Sequence, residues 1–440
     1  MKKQEKRKIG NLNKKKNMTT LRNTKGITLI ALVVTIVVLI ILAGVAINLS
    51  LSNNGIFNRA KQAREDYKHA TNEEQSGLAN VEKAMDEIAG GGTTNPPVEK
   101  SEIEKSRDAG TYMTAPTTLK DSNENLIKVP EGFKIAEDSG INVTEGIVIE
   151  DNDIIDGIGN NRGNQYVWIP VGTGIKKSDG TTVDITLGRY TFADGTNDKA
   201  EDGTTVLAKG TPILKQNAEN YTQEVVINSF FKELSTSRTG VESEGADGLN
   251  TTALNLKGFI DSVKANGGYY IARYEASYGT DGKANSKVSI GTPATSDSTT
   301  KTEGMLWNHM TQIDSATASR GLYTTATTDL VNSYAWDTAI VYIQNFSGDV
   351  DYSYQEVTGI NSSLANTGVN GDEVCKINDM ASNTYEWTTE YSTGTSGSAA
   401  YPCTFRGGYW DPSSNYTSIR HNGCATDWSS HSAFRPTLYM

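Results

Sequence analysis

Residues 27–47, ITLIALVVTIVVLIILAGVAI, form an apolar run of 21 residues without a charge. A helix rising about 1.5 Å per residue crosses the roughly 30 Å of bilayer hydrocarbon in that length. The run therefore predicts one transmembrane helix, and no other stretch of the 440 residues is apolar enough to add a second. Thr28 and Thr35 return their hydroxyl hydrogen bonds to the helix backbone and do not break it. Residues 1–26 hold ten Lys/Arg and one acid. That excess of positive charge places the leader in the cytoplasm and residues 48–440 outside the cell membrane. A cleaved secretory signal peptide is the alternative, but the run exceeds an ordinary h-region and no A-x-A site follows it.

The leader's +9 leaves −20 on the remainder to give the formal total of −11. A body that acidic repels phosphate backbones, which argues against nucleic acid as a partner. Three cysteines, Cys375, Cys403 and Cys424, are too few for a disulfide framework; one bridge with a spare thiol, or none, is compatible with the count.

Beyond Asn53-Asn54-Gly55, apolar residues recur at three- and four-residue spacing: Phe57, Ala60, Ala63, Tyr67, Ala70, then Leu78, Val81, Met85 and Ile88. This is the stripe of an amphipathic stalk helix over 48–89. Gly90-Gly91-Gly92 and Pro96-Pro97 end it, so 90–117 reads as a flexible linker. From residue 118 the texture becomes short strand-like runs, such as 146–149 and 166–170, between Gly, Asn and Asp turns. Helices are expected at 254–265, ending at Gly267, and at 333–346. The expected class is α+β, a loop-rich head behind a long N-terminal helix.

The stretch Thr24-Lys25-Gly26-Ile27 followed by the apolar run resembles the start of type IV prepilins and pseudopilins. The resemblance implies cleavage by a prepilin peptidase between Gly26 and Ile27, with the helix kept on the mature chain. It also implies pilin-type assembly, a minor-pilin role being one alternative function. Ala31 stands where those families carry a Glu that pairs with a neighbour's terminal amine, which speaks against incorporation into a filament shaft.

Four segments then occur in order over the head: Gln165-Tyr166-Val167-Trp168-Ile169-Pro170, Gly268-Tyr269-Tyr270-Ile271-Ala272-Arg273-Tyr274-Glu275, Asn378-Asp379-Met380-Ala381-Ser382-Asn383-Thr384-Tyr385-Glu386-Trp387-Thr388, and Phe405-Arg406-Gly407-Gly408-Tyr409-Trp410 leading to Ala433-Phe434-Arg435-Pro436. Together they resemble the formylglycine-generating enzyme (sulfatase-modifying factor) superfamily, which implies a C-type-lectin-like head over 118–440. Read physically, the tryptophans supply buried area, the Gly-Gly pair permits close backbone approach, and Arg406 and Arg435 offer planar forks to loop carbonyls and carboxylates.

The superfamily's oxidases use a cysteine pair shortly after the Gly-Gly motif. Here those places fall near Pro412 and Thr417, so the formylglycine-generating oxidase is a disfavoured alternative and no catalytic residue is assigned. The histidines show no spacing for an iron-binding triad, and His421, Cys424 and His431 are read as incidental rather than as a zinc site. By resemblance, Glu386 with the carbonyls of 381–384 is the candidate for structural calcium; no other cofactor is implied.

One non-enzymatic branch of the superfamily comprises the variable proteins of diversity-generating retroelements, and the end of this chain has the same layout. Between Tyr409 and Ala433, every residue except Trp410 and Trp428 is reachable from an Asn codon by replacing adenines; Lys, Glu, Gln and Met, which are unreachable, do not occur. Composition points the same way. Tyr409, Tyr416 and Trp428 offer rigid contact area, Ser413, Ser414, Asn415, Asn422 and Ser429 adaptable hydrogen bonds, and Asp411, Asp427, Arg420, His421 and His431 charge. Trp410 and Phe434 are assigned to the core. The expectation is a membrane-anchored, surface-displayed ligand-binding protein that touches a macromolecular partner through 409–433.

Overall fold

The computed structural model describes residues 99–152, 163–235, 253–279, 281–294, 301–355, 364–369, 371–396, 399–410, 416–425 and 430–440. The expected leader, processing site at Gly26–Ile27, membrane helix and stalk lie outside these residues. Among the described residues no helix is long and apolar enough to cross a membrane.

The described chain is mixed α/β, mostly short strands with few helices and much loop. One expectation is corrected at its start. Residues placed in the 90–117 linker form helix α1, Glu102–Ala109. The cause was visible in Ser101-x-x-Glu104: the Ser101 hydroxyl accepts from Glu104 N, the Glu104 carboxylate accepts from Ser101 N, and Gly110 closes the helix at φ 59°. The other helices are α2, Leu256–Asn266, α3, Gln312–Ser319, and α4, Ser333–Ser347. Asn255 caps α2 and Gly267 ends it at φ 75°, as its sequence predicts. Asn332 caps α4, which is buried on nearly every side. A helix so enclosed is the centre of the packing and not a surface element.

Two sheets use eleven strands: β1 (Phe133–Ile135), β2 (Val148–Asp151), β3 (Gln165–Pro170), β4 (Phe231–Lys232), β5 (Gly268–Ala272), β6 (Thr327–Leu330), β7 (Tyr385–Ser392), β8 (Cys403–Arg406), β9 (Arg420–Gly423), β10 (Ser432–Phe434) and β11 (Pro436–Tyr439). The first sheet is antiparallel, in the order β6-β11-β5-β3-β2-β1. Its central strands β3 and β5 are buried at every residue but Gln165, with Trp168 edge-on to Tyr270 at 5.0 Å. The second sheet runs β4-β7-β8-β9, with β10 parallel to β7. Strands β10 and β11 are separated by one residue, Arg435, yet belong to different sheets.

Arg435 joins them. It is fully buried; its Nε donates to Glu386 Oε2 at 2.6 Å, Nη1 to Ala272 O at 3.0 Å and Nη2 to Asn378 O at 2.9 Å, while Nη2 also meets Glu386 Oε1. One guanidinium thus ties the end of β5, the loop before β7 and β7 itself. Only a planar fork with several donors can satisfy three such acceptors from one point.

Candidate functional site

The register of the second sheet lines up four rings. His421 on β9 pairs with Phe405 on β8, Phe405 with Trp387 on β7, and Trp387 with Phe434 on β10. Directly paired residues share a sheet face, so the row is continuous, and it grades from inside to outside. Phe434 and Trp387 are buried, Phe405 is half-buried and His421 is exposed. Trp387 stacks on Phe405 at 3.6 Å between centroids, and its Nε1 donates to Met310 O at 2.6 Å, which fixes the ring.

Beside the outer end of this row lies a group of half-buried rings. Tyr385, first residue of β7, has its ring 5.7 Å from Phe405, 5.5 Å from His421 and 4.6 Å from Tyr409. Tyr409 lies 5.8 Å from Trp410 and 5.2 Å from His431, and Trp410 lies 5.5 Å from His431. The group has backbone support: Tyr385 N donates to His431 O at 2.7 Å and Trp410 N to Asn383 O at 3.2 Å. The chain turns at Gly407, φ 79°, where a Cβ would sit 2.7 Å from Met380 O, so glycine is required there. Partial burial among these rings lowers the His421 pKa below the ordinary histidine value. Such a surface carries large apolar area with polar tips.

Under the platform the same strands end in buried charge. Arg406 Nη2 donates to Asp337 Oδ1 at 2.5 Å and Nε to Ile419 O at 2.8 Å. Glu390 accepts from Arg189 Nη2 at 2.7 Å and from Arg420 Nε at 3.0 Å, and Arg420 also pairs with Asp337. The flanking arginines hold the Glu390 carboxyl low, at about 2, against the upward push of burial. Such clusters hold only because every charge finds partners.

These contacts sort the predicted residues. Tyr409, His421 and His431 are brought together. Tyr416 is half-buried with its ring 4.8 Å from Tyr354. Asn422, on β9, is half-buried, and its amide lies over Gly394. Arg420 is corrected: its side chain is interior, held by Glu390 and Asp337. Trp410 is corrected in the opposite sense, being half-buried in the ring group and not in the core, whereas Phe434 is in the core. Asp411, Ser413, Ser414, Asn415, Asp427, Trp428 and Ser429 lie outside the described residues.

The calcium reading of Glu386 does not fit the residues present. The Arg435 fork engages both carboxylate oxygens and brings a cation to the place an ion would take. Of the neighbouring carbonyls, Asn383 O is taken by Trp410 N and Ser382 O by Thr384 N. Among the described residues no group of three His, Cys, Asp or Glu is placed to hold a metal.

Sequence reasoning missed Tyr385, Phe405 and Trp410 as surface rings. The signal was present in Tyr385-Glu386-Trp387, where period-two alternation sends Glu386 to Arg435 and both rings to the opposite face.

No known family matches the sequence, and no curated protein does. Among solved structures, the chain is similar to the crystal structure of CarF, at 13% identity over 62% of this chain and 99% of that one, with a TM-score of 0.22. It is also similar to Treponema denticola variable protein 1, at 12% identity over 63% of this chain and 96% of that one, with a TM-score of 0.23.

Proposed function

We propose that this chain is a non-enzymatic ligand-binding protein, anchored in the cell membrane by residues 27–47 and displayed outside, whose platform of Tyr385, Tyr409, Trp410, His421 and His431 captures a macromolecular partner. We propose further that it has the lectin-like fold its motifs resemble and is the diversified product of a diversity-generating retroelement. The observation that carries the reading is the group of touching rings, half-buried except for the exposed His421, mounted on strands that are fixed from below. Rigid aromatic area with polar tips binds at low entropic cost, because few rotamers need freezing. The resemblance of the motif order and the codon-restricted tail support the same reading.

The test places a photo-crosslinking amino acid at Tyr409, and in a second chain at exposed Val350, in cells displaying the protein. The expected result is a discrete crosslinked partner from position 409 and none from 350, lost when Tyr385 and His431 are changed to Ala. Equal labelling from both positions overturns the proposal.

A further inference from the structure

Glu275 follows β5 and is fully buried. Its Oε1 accepts from Thr384 N at 3.0 Å and from the Thr384 hydroxyl, and its Oε2 accepts from Asn383 Nδ2 at 2.5 Å. Asn383 adopts φ 66°, a conformation Asn and Asp tolerate. Its side-chain Oδ1 accepts from Ala365 N at 2.9 Å, and its carbonyl accepts from Trp410 N at 3.2 Å. Two residues on, Tyr385 N donates to His431 O at 2.7 Å. Three consecutive residues, 383–385, therefore hold the backbone of Trp410, the backbone of His431 and the ring that touches Tyr409. All three are referenced to one carboxylate, three residues beyond the end of the other sheet's β5.

We infer that Glu275 is the positioning residue of the platform, setting where Trp410, Tyr385 and His431 stand relative to one another; its relevance to binding rests on the function proposed above. Burial, with Asp379 and Glu386 nearby, pushes its carboxyl upward, and the hydrogen bonds from Thr384 and Asn383 oppose that push.

The arrangement makes a polarity argument possible. The substitution Glu275→Gln keeps nearly the same shape but leaves one accepting and one donating end. With the new side chain's oxygen toward Thr384, its amide nitrogen faces Asn383 Nδ2, donor against donor. Flipping the Asn383 amide only moves the clash to Ala365 N–H. Adding Asn383→Asp repairs every contact: the introduced amide donates to one oxygen of the introduced carboxylate, and Ala365 N donates to the other. The carboxylate has simply moved across the hydrogen bond.

The experiment uses the full chain in detergent micelles with its six tryptophans replaced by 5-fluorotryptophan, read by fluorine NMR without any ligand. Trp410→Phe and Trp168→Phe assign the platform and first-sheet resonances. E275Q is expected to move the Trp410 resonance beyond its linewidth and leave Trp168 in place; E275Q/N383D is expected to return Trp410 to its original position. An unmoved Trp410 in E275Q, a Trp168 resonance that shifts or collapses with it, or a swap that fails to restore Trp410 each overturns the inference. If crosslinking from Tyr409 fails while the swap restores Trp410, the binding proposal falls and the positioning role stands. If the swap fails while crosslinking succeeds, the reverse holds.

Discussion

The two sheets solve the problem of mounting side chains in different ways. The first buries both faces: β3 and β5 show almost no exposed residue, and their hydrogen bonds and rings close on one another. The second buries charge on one side and leaves rings half-exposed on the other. Glu386 and Glu390 on β7, Arg406 on β8 and Arg420 on β9 are all interior, whereas Tyr385, Phe405 and His421 from the same strands grade outward. An apolar interior tolerates small shifts, because dispersion contacts are non-directional. A buried ion network does not, because an unmet charge costs several kcal/mol. The second sheet thus holds its outer face by directional bonds on its inner face.

The largest expected effect strikes the junction. Arg435→Ala leaves Glu386 buried without its cation and two carbonyls without donors, and is expected to cost about 3–5 kcal/mol. Urea unfolding checks the size, and hydrogen exchange checks that β5 and β7 lose protection together. Loss confined to β7 would show that the sheets are independent and break the comparison.

A smaller effect separates the charged groups by pH. Glu233 is buried, accepts from Ser333 N at 2.8 Å and from the Thr389 hydroxyl at 2.8 Å, and is pushed up to about 7, chiefly by burial. The folded chain keeps this proton where the unfolded chain, with the ordinary value of 4.5, has lost it. Stability from this group is therefore full at low pH and falls as pH rises from about 4.5 to about 7. Asp329, on β6 in the first sheet, is raised to about 6 and acts in the same direction. Glu390, lowered to about 2, does the opposite: its contribution is lost as pH falls from 4.5 toward about 2. Melting temperature against pH should peak on the mildly acid side, and Glu233→Gln should flatten the limb above it. A curve rising steadily to pH 8 would contradict this.

The smallest effect belongs to the platform. Tyr409→Ala removes a half-buried ring and is expected to change stability by about 1 kcal/mol or less, as read by calorimetry. A loss comparable to Arg435→Ala would make the ring part of the scaffold and erase the contrast between the faces.

Much of the scaffold was legible in the sequence. Helix α2 with its Gly267 stop, α4, and the strands at 146–149 and 166–170 follow from periodicity and caps, with ends displaced by at most a few residues. The forks of Arg406 and Arg435 were legible as chemistry, though their partners were not. What sequence could not give was sidedness within the tail. Arg420 and His421 are adjacent polar residues with similar claims to the surface, and β9 sends one inward and the other out. That choice depends on Glu390 and Asp337, tens of residues earlier in the chain. Helix α1 was missed for a different reason: its capping box was present but was overshadowed by the glycine and proline run before it.

The placement of β11 between β5 and β6 bears on how the molecule is made. Both neighbours are made well before residues 436–439, so the first sheet waits with an open slot from residue 330 until the last residues of the chain are added. The strand that fills the slot arrives directly behind the one that completes the second sheet, so a polypeptide interrupted before residue 432 lacks the closing strand of both layers.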